Sequence, residues 1–205
     1  MKKDYLRKLN LSLKTIVALF GLGLFIMHFI DPVAWPKTMS YLVTIILPFI
    51  PDIFKLFGLN TSVRLQIAFS LFLGISMVMG IDFDLYKTWY IFGNPCFDKV
   101  AHTLSGVLAA FVAKEILDKN YDGVDVKVTG SHARTKHYDT RFTWLFIVSF
   151  VALSAAGWEC FEFLYDQIAG GNMQTLIAEG VDDTMWDILG ALGAGIVVAF
   201  PLCKK

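Results

Sequence analysis

Residues 184–202 read TMWDILGALGAGIVVAFPL, an apolar run interrupted by a single acid, Asp187, near its start. A helix rises about 1.5 Å per residue, so this run covers about 28 Å, close to the thickness of a bilayer's hydrocarbon core. An ionised carboxylate in such a helix costs roughly 2.5–3.5 kcal/mol at the bilayer centre and less near the interface. The stretch therefore predicts a membrane span, and it marks Asp187 as a residue that needs a reason to be there.

Working outward, five more segments approach a spanning length: 13–30, 40–57, 63–81, 99–117 and 142–165. The second is the weakest, because Pro48, Pro51 and Asp52 interrupt it. A kinked span is the better reading of it, since neighbouring helices can satisfy the backbone groups a proline frees. Composition agrees with a bilayer protein. Of the 205 residues 56% are hydrophobic and only 18% charged, against roughly 25% charged in soluble domains. Mean hydropathy is +0.57. The basic start and apolar continuation of residues 1–30 lack a small-residue cleavage site and read as a retained first span rather than a removed leader. The expectation is an all-α polytopic bundle of about six transmembrane helices, a single membrane domain over 1–205.

Basic residues orient the spans, because Lys and Arg collect on the cytoplasmic side. With the N-terminus inside, fifteen of the eighteen Lys and Arg are cytoplasmic, leaving Lys37, Lys87 and Lys99 outside. Both ends then lie in the cytoplasm. The net charge of zero gives no field that would draw nucleic acid. The polar stretch 118–141 falls on the cytoplasmic side, with turn residues at Asp122-Gly123 and Gly130-Ser131, and forms either a hairpin or a mobile loop. His132 and His137 within it read as surface histidines. Cys96, Cys160 and Cys203 form no C-x-x-C pair, which argues against a disulfide scaffold.

The opposite side gathers eleven of the eighteen acids, several inside spans. Asp98 and His102 are four apart in FDKVAHTLSG, on a face that continues through Ser105, Gly106 and Ala109. Glu159 and Glu162 share a face in GWECFEFLYD, with Ala155 before them and Asp166 after. Asp183 and Asp187 do so in DDTMWDILG, on a stripe expected to continue through Gly190 and Ala194. Counting from the outer ends, His102 and Asp187 lie about 5 Å deep and Glu159 about 9 Å deep. Three helices thus bring acids and one imidazole to one layer, where the few outer lysines are too few to neutralise them. Protonation, water or a bound cation would compensate.

One imidazole with four or five carboxylates is a borderline-to-hard ligand set that suits Mg²⁺, Mn²⁺ or Zn²⁺. In that reading Asp98, His102, Asp183 and Asp187 are metal ligands, and Glu159 or Glu162 is the general base toward a metal-bound water. Asp98 and Asp183 also stand where helix N-caps belong. Ser105 and the cysteines are weak candidates for nucleophile or soft ligands. His28 and Asp31 either join the cluster or face headgroups. The aromatics Phe83, Tyr86, Trp89, Tyr90 and Phe92 read as an interfacial belt, and residues 167–180 as a lid or a connecting loop.

The order F-D-K-V-A-H-T-L-S-G, W-E-C-F-E-F and D-D-T-M-W-D over about residues 80–200 resembles the YjdF-like bacterial inner-membrane proteins, and D-K-x-x-H is loosely similar to VanZ-like proteins. The matching positions are Asp98, His102, Glu159, Glu162, Asp183 and Asp187, with Thr103 and Phe97 departing from the usual pattern. The resemblance implies a multi-pass protein of the bacterial cytoplasmic membrane and no particular reaction. No H-E-x-x-H, G-x-S-x-G, P-loop or G-x-G-x-x-G is present, and no organic cofactor is indicated. Three functions fit: a divalent-metal-dependent hydrolase or transferase on a lipid or lipid-linked envelope substrate, a proton- or cation-coupled transporter or flippase, and a non-catalytic accessory subunit.

Overall fold

The structure is a computed structural model that describes residues 2–30, 35–82, 85–91, 94–120, 124–126, 134–136, 139–170, 173–174 and 181–203. Asp31, Phe83, Asp84, Phe92, His132, His137, Glu179 and the turn residues of the 118–141 stretch lie outside them.

Four helices are long and apolar enough to cross a membrane: α1 (Lys2–His28), α7 (Phe97–Asn120), α8 (Thr140–Ala169) and α9 (Val181–Leu202). Two interrupted helical stretches separate the first from the rest. In one, α2 (Trp35–Ile46) passes through a 3₁₀ turn, Leu47–Phe49, into α3 (Ile50–Leu56). Pro48 has no N–H for the helix ladder and Pro51 sits in the first turn of α3, where that loss is harmless. In the other, α4 (Val63–Leu73) continues through a π turn, Gly74–Met79, into the short α5 (Gly80–Asp82). The Ser62 hydroxyl caps α4 by accepting a bond from the Leu65 N–H, and Gly170, at φ 65°, closes α8 in the left-handed conformation.

A four-residue helix, α6 (Leu85–Thr88), and two short antiparallel ladders complete the fold. The ladder between β1 (Tyr90–Ile91) and β2 (Asn94–Pro95) is not foreseen by hydropathy. Within the 118–141 stretch, β3 (Val124–Val126) and β4 (Arg134–Lys136) form an antiparallel ladder that pairs Val124 with Lys136 and Val126 with Arg134.

Helices α7, α8 and α9 pack on one another, while α1 packs on α2 and α4. The buried face of α9 runs by fours through Asp187, Ala191, Gly195 and Ala199. This corrects the expected Gly190 and Ala194 stripe by one position. Closeness explains it: a Cβ on Gly106 would lie 2.1 Å from the Ala191 carbonyl oxygen, and one on Gly195 would lie 2.7 Å from Val151. Below this crossing Ala110, Ala113, Ile147, Val151, Ala199 and Cys203 form a core. Large apolar side chains such as Leu19, Ile26, Leu153, Val197 and Phe200 stay exposed, as lipid-facing positions require.

Helix ends alternate between two sides. Lys14 of α1 is buried, with its ammonium 2.6 Å from Asp52 of α3 and 3.0 Å from Gln66 of α4. Asn10 donates to the same Gln66 oxygen at 2.9 Å. Ser62, before α4, bonds Glu115 near the end of α7 through both its N–H and its hydroxyl. The start of α1, the break before α4 and the end of α7 therefore share one side. Lys14 and Asp52, the latter an interruption of the second apolar segment in sequence, are ion-pair partners with the lysine buried and the aspartate exposed.

Candidate metal centre

The other side holds the acids. His102, one turn into α7, is buried at its centre. Its Nε2 faces Asp98 Oδ1 at 3.4 Å and Asp187 Oδ2 at 4.0 Å, and its Nδ1 faces Glu159 Oε1 at 3.5 Å. The i,i+4 spacing of Asp98 and His102 puts both on one helix face, and the tight Gly106–Ala191 crossing brings Asp187 of α9 against it. Glu159 and Glu162, three apart on α8, both point inward and are buried. The Trp158 indole N–H donates to Glu162 Oε1 at 2.6 Å.

Two groups of residues offer ligand atoms lying within 4.8 Å of one another: Asp98, His102 and Asp187, and His102, Glu159 and Glu162. Five of the six expected residues thus meet around one imidazole. The sixth, Asp183, belongs to neither group and pairs with Lys99. Asp98 and Asp183 are the second and third residues of their helices, inside the first turn rather than at the cap.

Lys99, in sequence only one of three outer lysines too few to neutralise the acids, is a component of the cluster. Its ammonium binds Asp183, lies 2.8 Å from each oxygen of Asp187, and is 3.4 Å from Asp98. Its adjacency to Asp98 and its i,i+3 relation to His102 were the available signals. Tyr86 is the other omission. Gly80 has no Cβ where one would fall 2.2 Å from the Tyr86 ring, so the ring packs inward and edge-on to Phe97 at 4.9 Å. Burial pushes the Tyr86 phenol well above its ordinary pKa, and the carboxylates of Asp98, Glu162 and Asp187 add to the shift. Tyr86 packs on Phe97, the residue before Asp98.

Other candidates lie elsewhere. Ser105 donates to the His102 carbonyl at 2.7 Å, not to the imidazole. His28 bonds Leu24 O at 2.8 Å on its own helix and packs on Tyr41. Asp166 accepts the N–H groups of Met173 and Gln174 at 2.7 and 3.0 Å, organising the connection after α8. The cysteines are free, and none belongs to a ligand group among the described residues.

Apolar spanning helices with a buried polar centre between three of them define an integral membrane protein of the helical-bundle class. The chain belongs to the family described as Predicted membrane protein (DUF2238), whose profile matches residues 10–203. No curated protein and no solved structure matches it significantly.

Proposed function

We propose that this membrane protein is a divalent-metal-dependent enzyme, a hydrolase or transferase acting on a lipid or lipid-linked substrate at the outer face of the bacterial cytoplasmic membrane. The observation that carries this reading is His102, whose ring is common to both groups of converging ligand atoms. An imidazole nitrogen with carboxylate oxygens suits Mg²⁺, Mn²⁺ or Zn²⁺. When bound, such an ion activates a water or polarises an ester oxygen. The chain's own part is to hold the imidazole and carboxylates at one depth, to exclude bulk water by burial, and to accept a proton on a carboxylate that is not a ligand.

The alternation of helix ends and the fifteen-to-three distribution of Lys and Arg support six crossings with both ends cytoplasmic, the kinked second and π-bulged third stretches included. The YjdF-like resemblance agrees with this envelope location.

Metal analysis of the detergent-purified protein tests the proposal. The wild type is expected to hold about one equivalent of divalent metal and His102→Ala to lose it, since first-shell ligands dominate affinity. A metal-free wild type after exposure to Mg²⁺, Mn²⁺ and Zn²⁺ overturns the reading. The Lys14–Asp52–Gln66 network at the opposite end, with Lys14 buried, favours a second reading, a cation-coupled transporter with polar groups at both faces. Cation-dependent flux in reconstituted liposomes would select it.

A further inference from the structure

We infer that the cation is held on the glutamate side of His102, by Nδ1 together with Glu159 and Glu162, while the aspartates form a separate arm neutralised by Lys99. This rests on the reading of the cluster as a metal centre, and it reverses the roles that residue spacing suggests.

A neutral imidazole offers one lone pair, so one ring nitrogen ligates while the other carries a proton. The two halves of the cluster therefore compete for His102. On the aspartate side the chain supplies its own cation: Lys99 binds Asp183, touches both oxygens of Asp187 and reaches Asp98. A divalent ion there would face the ammonium across the same carboxylates.

The glutamate side has no such partner. Among the described residues no Lys or Arg pairs with Glu159 or Glu162. Glu159 is only 4% exposed, and its Oε1, aimed at His102 Nδ1 from 3.5 Å, is buried without a hydrogen-bond partner. A buried acceptor of this kind, beside a second buried carboxylate, calls for a cation. Ligand bonds of about 2.0–2.2 Å would draw Nδ1 and Glu159 Oε1 together from 3.5 Å by a few tenths of an ångström, with Glu162 closing from within 4.8 Å.

The surroundings match what a ligating histidine requires. Metal-bound His usually donates its other ring N–H to a carboxylate, and ligating carboxylates are themselves hydrogen-bonded. Asp98 stands at His102 Nε2, steadied by Lys99, and the Trp158 indole holds Glu162. Asp98 is then a positioning residue and not a ligand. One nitrogen and two carboxylates, with an open position for water, fit Zn²⁺ or Mn²⁺.

The test is titration of the purified full-length protein with Zn²⁺ or Mn²⁺ alone. Glu159→Gln and Glu162→Gln are each expected to weaken binding by more than about 100-fold, beyond the 10- to 100-fold typical of outer partners. Asp98→Asn should fall within that outer range, and Asp183→Asn should keep one equivalent. Lys99→Gln keeps the first equivalent and gains a second on the freed aspartates, a gain that misfolding cannot produce. Loss of metal in Asp183→Asn with retention in Glu159→Gln, or no second equivalent in Lys99→Gln, overturns this assignment and leaves the metal reading intact. A wild type that binds neither ion overturns this assignment, and one that also takes up no Mg²⁺ overturns the metal reading as well.

Discussion

Two lysines are placed where a membrane protein rarely tolerates them, and each is explained by what it touches. Lys14 is 2% exposed, whereas the Asp52 side chain that pairs with it is 55% exposed. The asymmetry makes a prediction. Asp52→Ala leaves the buried ammonium with the Gln66 oxygen but without its counter-charge and should cost about 1–3 kcal/mol. Lys14→Met leaves a carboxylate with access to water and should cost far less. Unfolding of the two variants in mixed detergent micelles checks the order, and equal losses would refute it. Lys99 solves a different problem, spanning three aspartates from a partly exposed position. The acids and His102 were legible in sequence, because a charged residue inside an apolar run stands out against its neighbours. Lys99 was not, since a lysine at a helix start reads as an interfacial flank whatever its four-carbon stem can reach.

Among elements, the crossing of α7 and α9 controls the site. Gly106 allows the two backbones to approach so closely that any side chain meets the Ala191 peptide, which cannot move aside as a flexible side chain would. Gly106→Ala is expected to cost about 1–3 kcal/mol as an overpacking change. Because it shifts α7, and His102 with it, against the neighbouring helices, it should also weaken metal binding. Gly193→Ala is the control, since nothing lies within 4 Å of the added Cβ. Thermal unfolding and metal titration of the pair should separate them, and matching behaviour would remove the crossing from the account. Small residues on both helices announced close packing in the sequence. The buried row on α9 was misread by one position because a 3.6-residue period leaves adjacent stripes nearly equivalent until a partner helix selects one.

For the whole molecule, the orientation proposed from helix order and the distribution of basic residues is open to a direct test. Single cysteines in a background lacking Cys96, Cys160 and Cys203 test it with a membrane-impermeant maleimide on intact cells. A cysteine at Gln174 should label from outside, and one at Asp125 in the β3–β4 hairpin only after the membrane is opened. The reverse pattern would invert the topology, and labelling of both from outside would exclude a membrane crossing by α8, which lies between them.

Membrane residence, the polar hairpin region and the identity of the buried acids followed from sequence alone, because hydropathy and helical period act within a single segment. Which acids meet Lys99 and which meet His102 was decided by tertiary structure. Asp98, Asp183, Asp187, Glu159 and Glu162 are equivalent as charges in a sequence. Only the relative rotation and close approach of α7, α8 and α9 give three of them a built-in cation and leave two glutamates facing an imidazole without one.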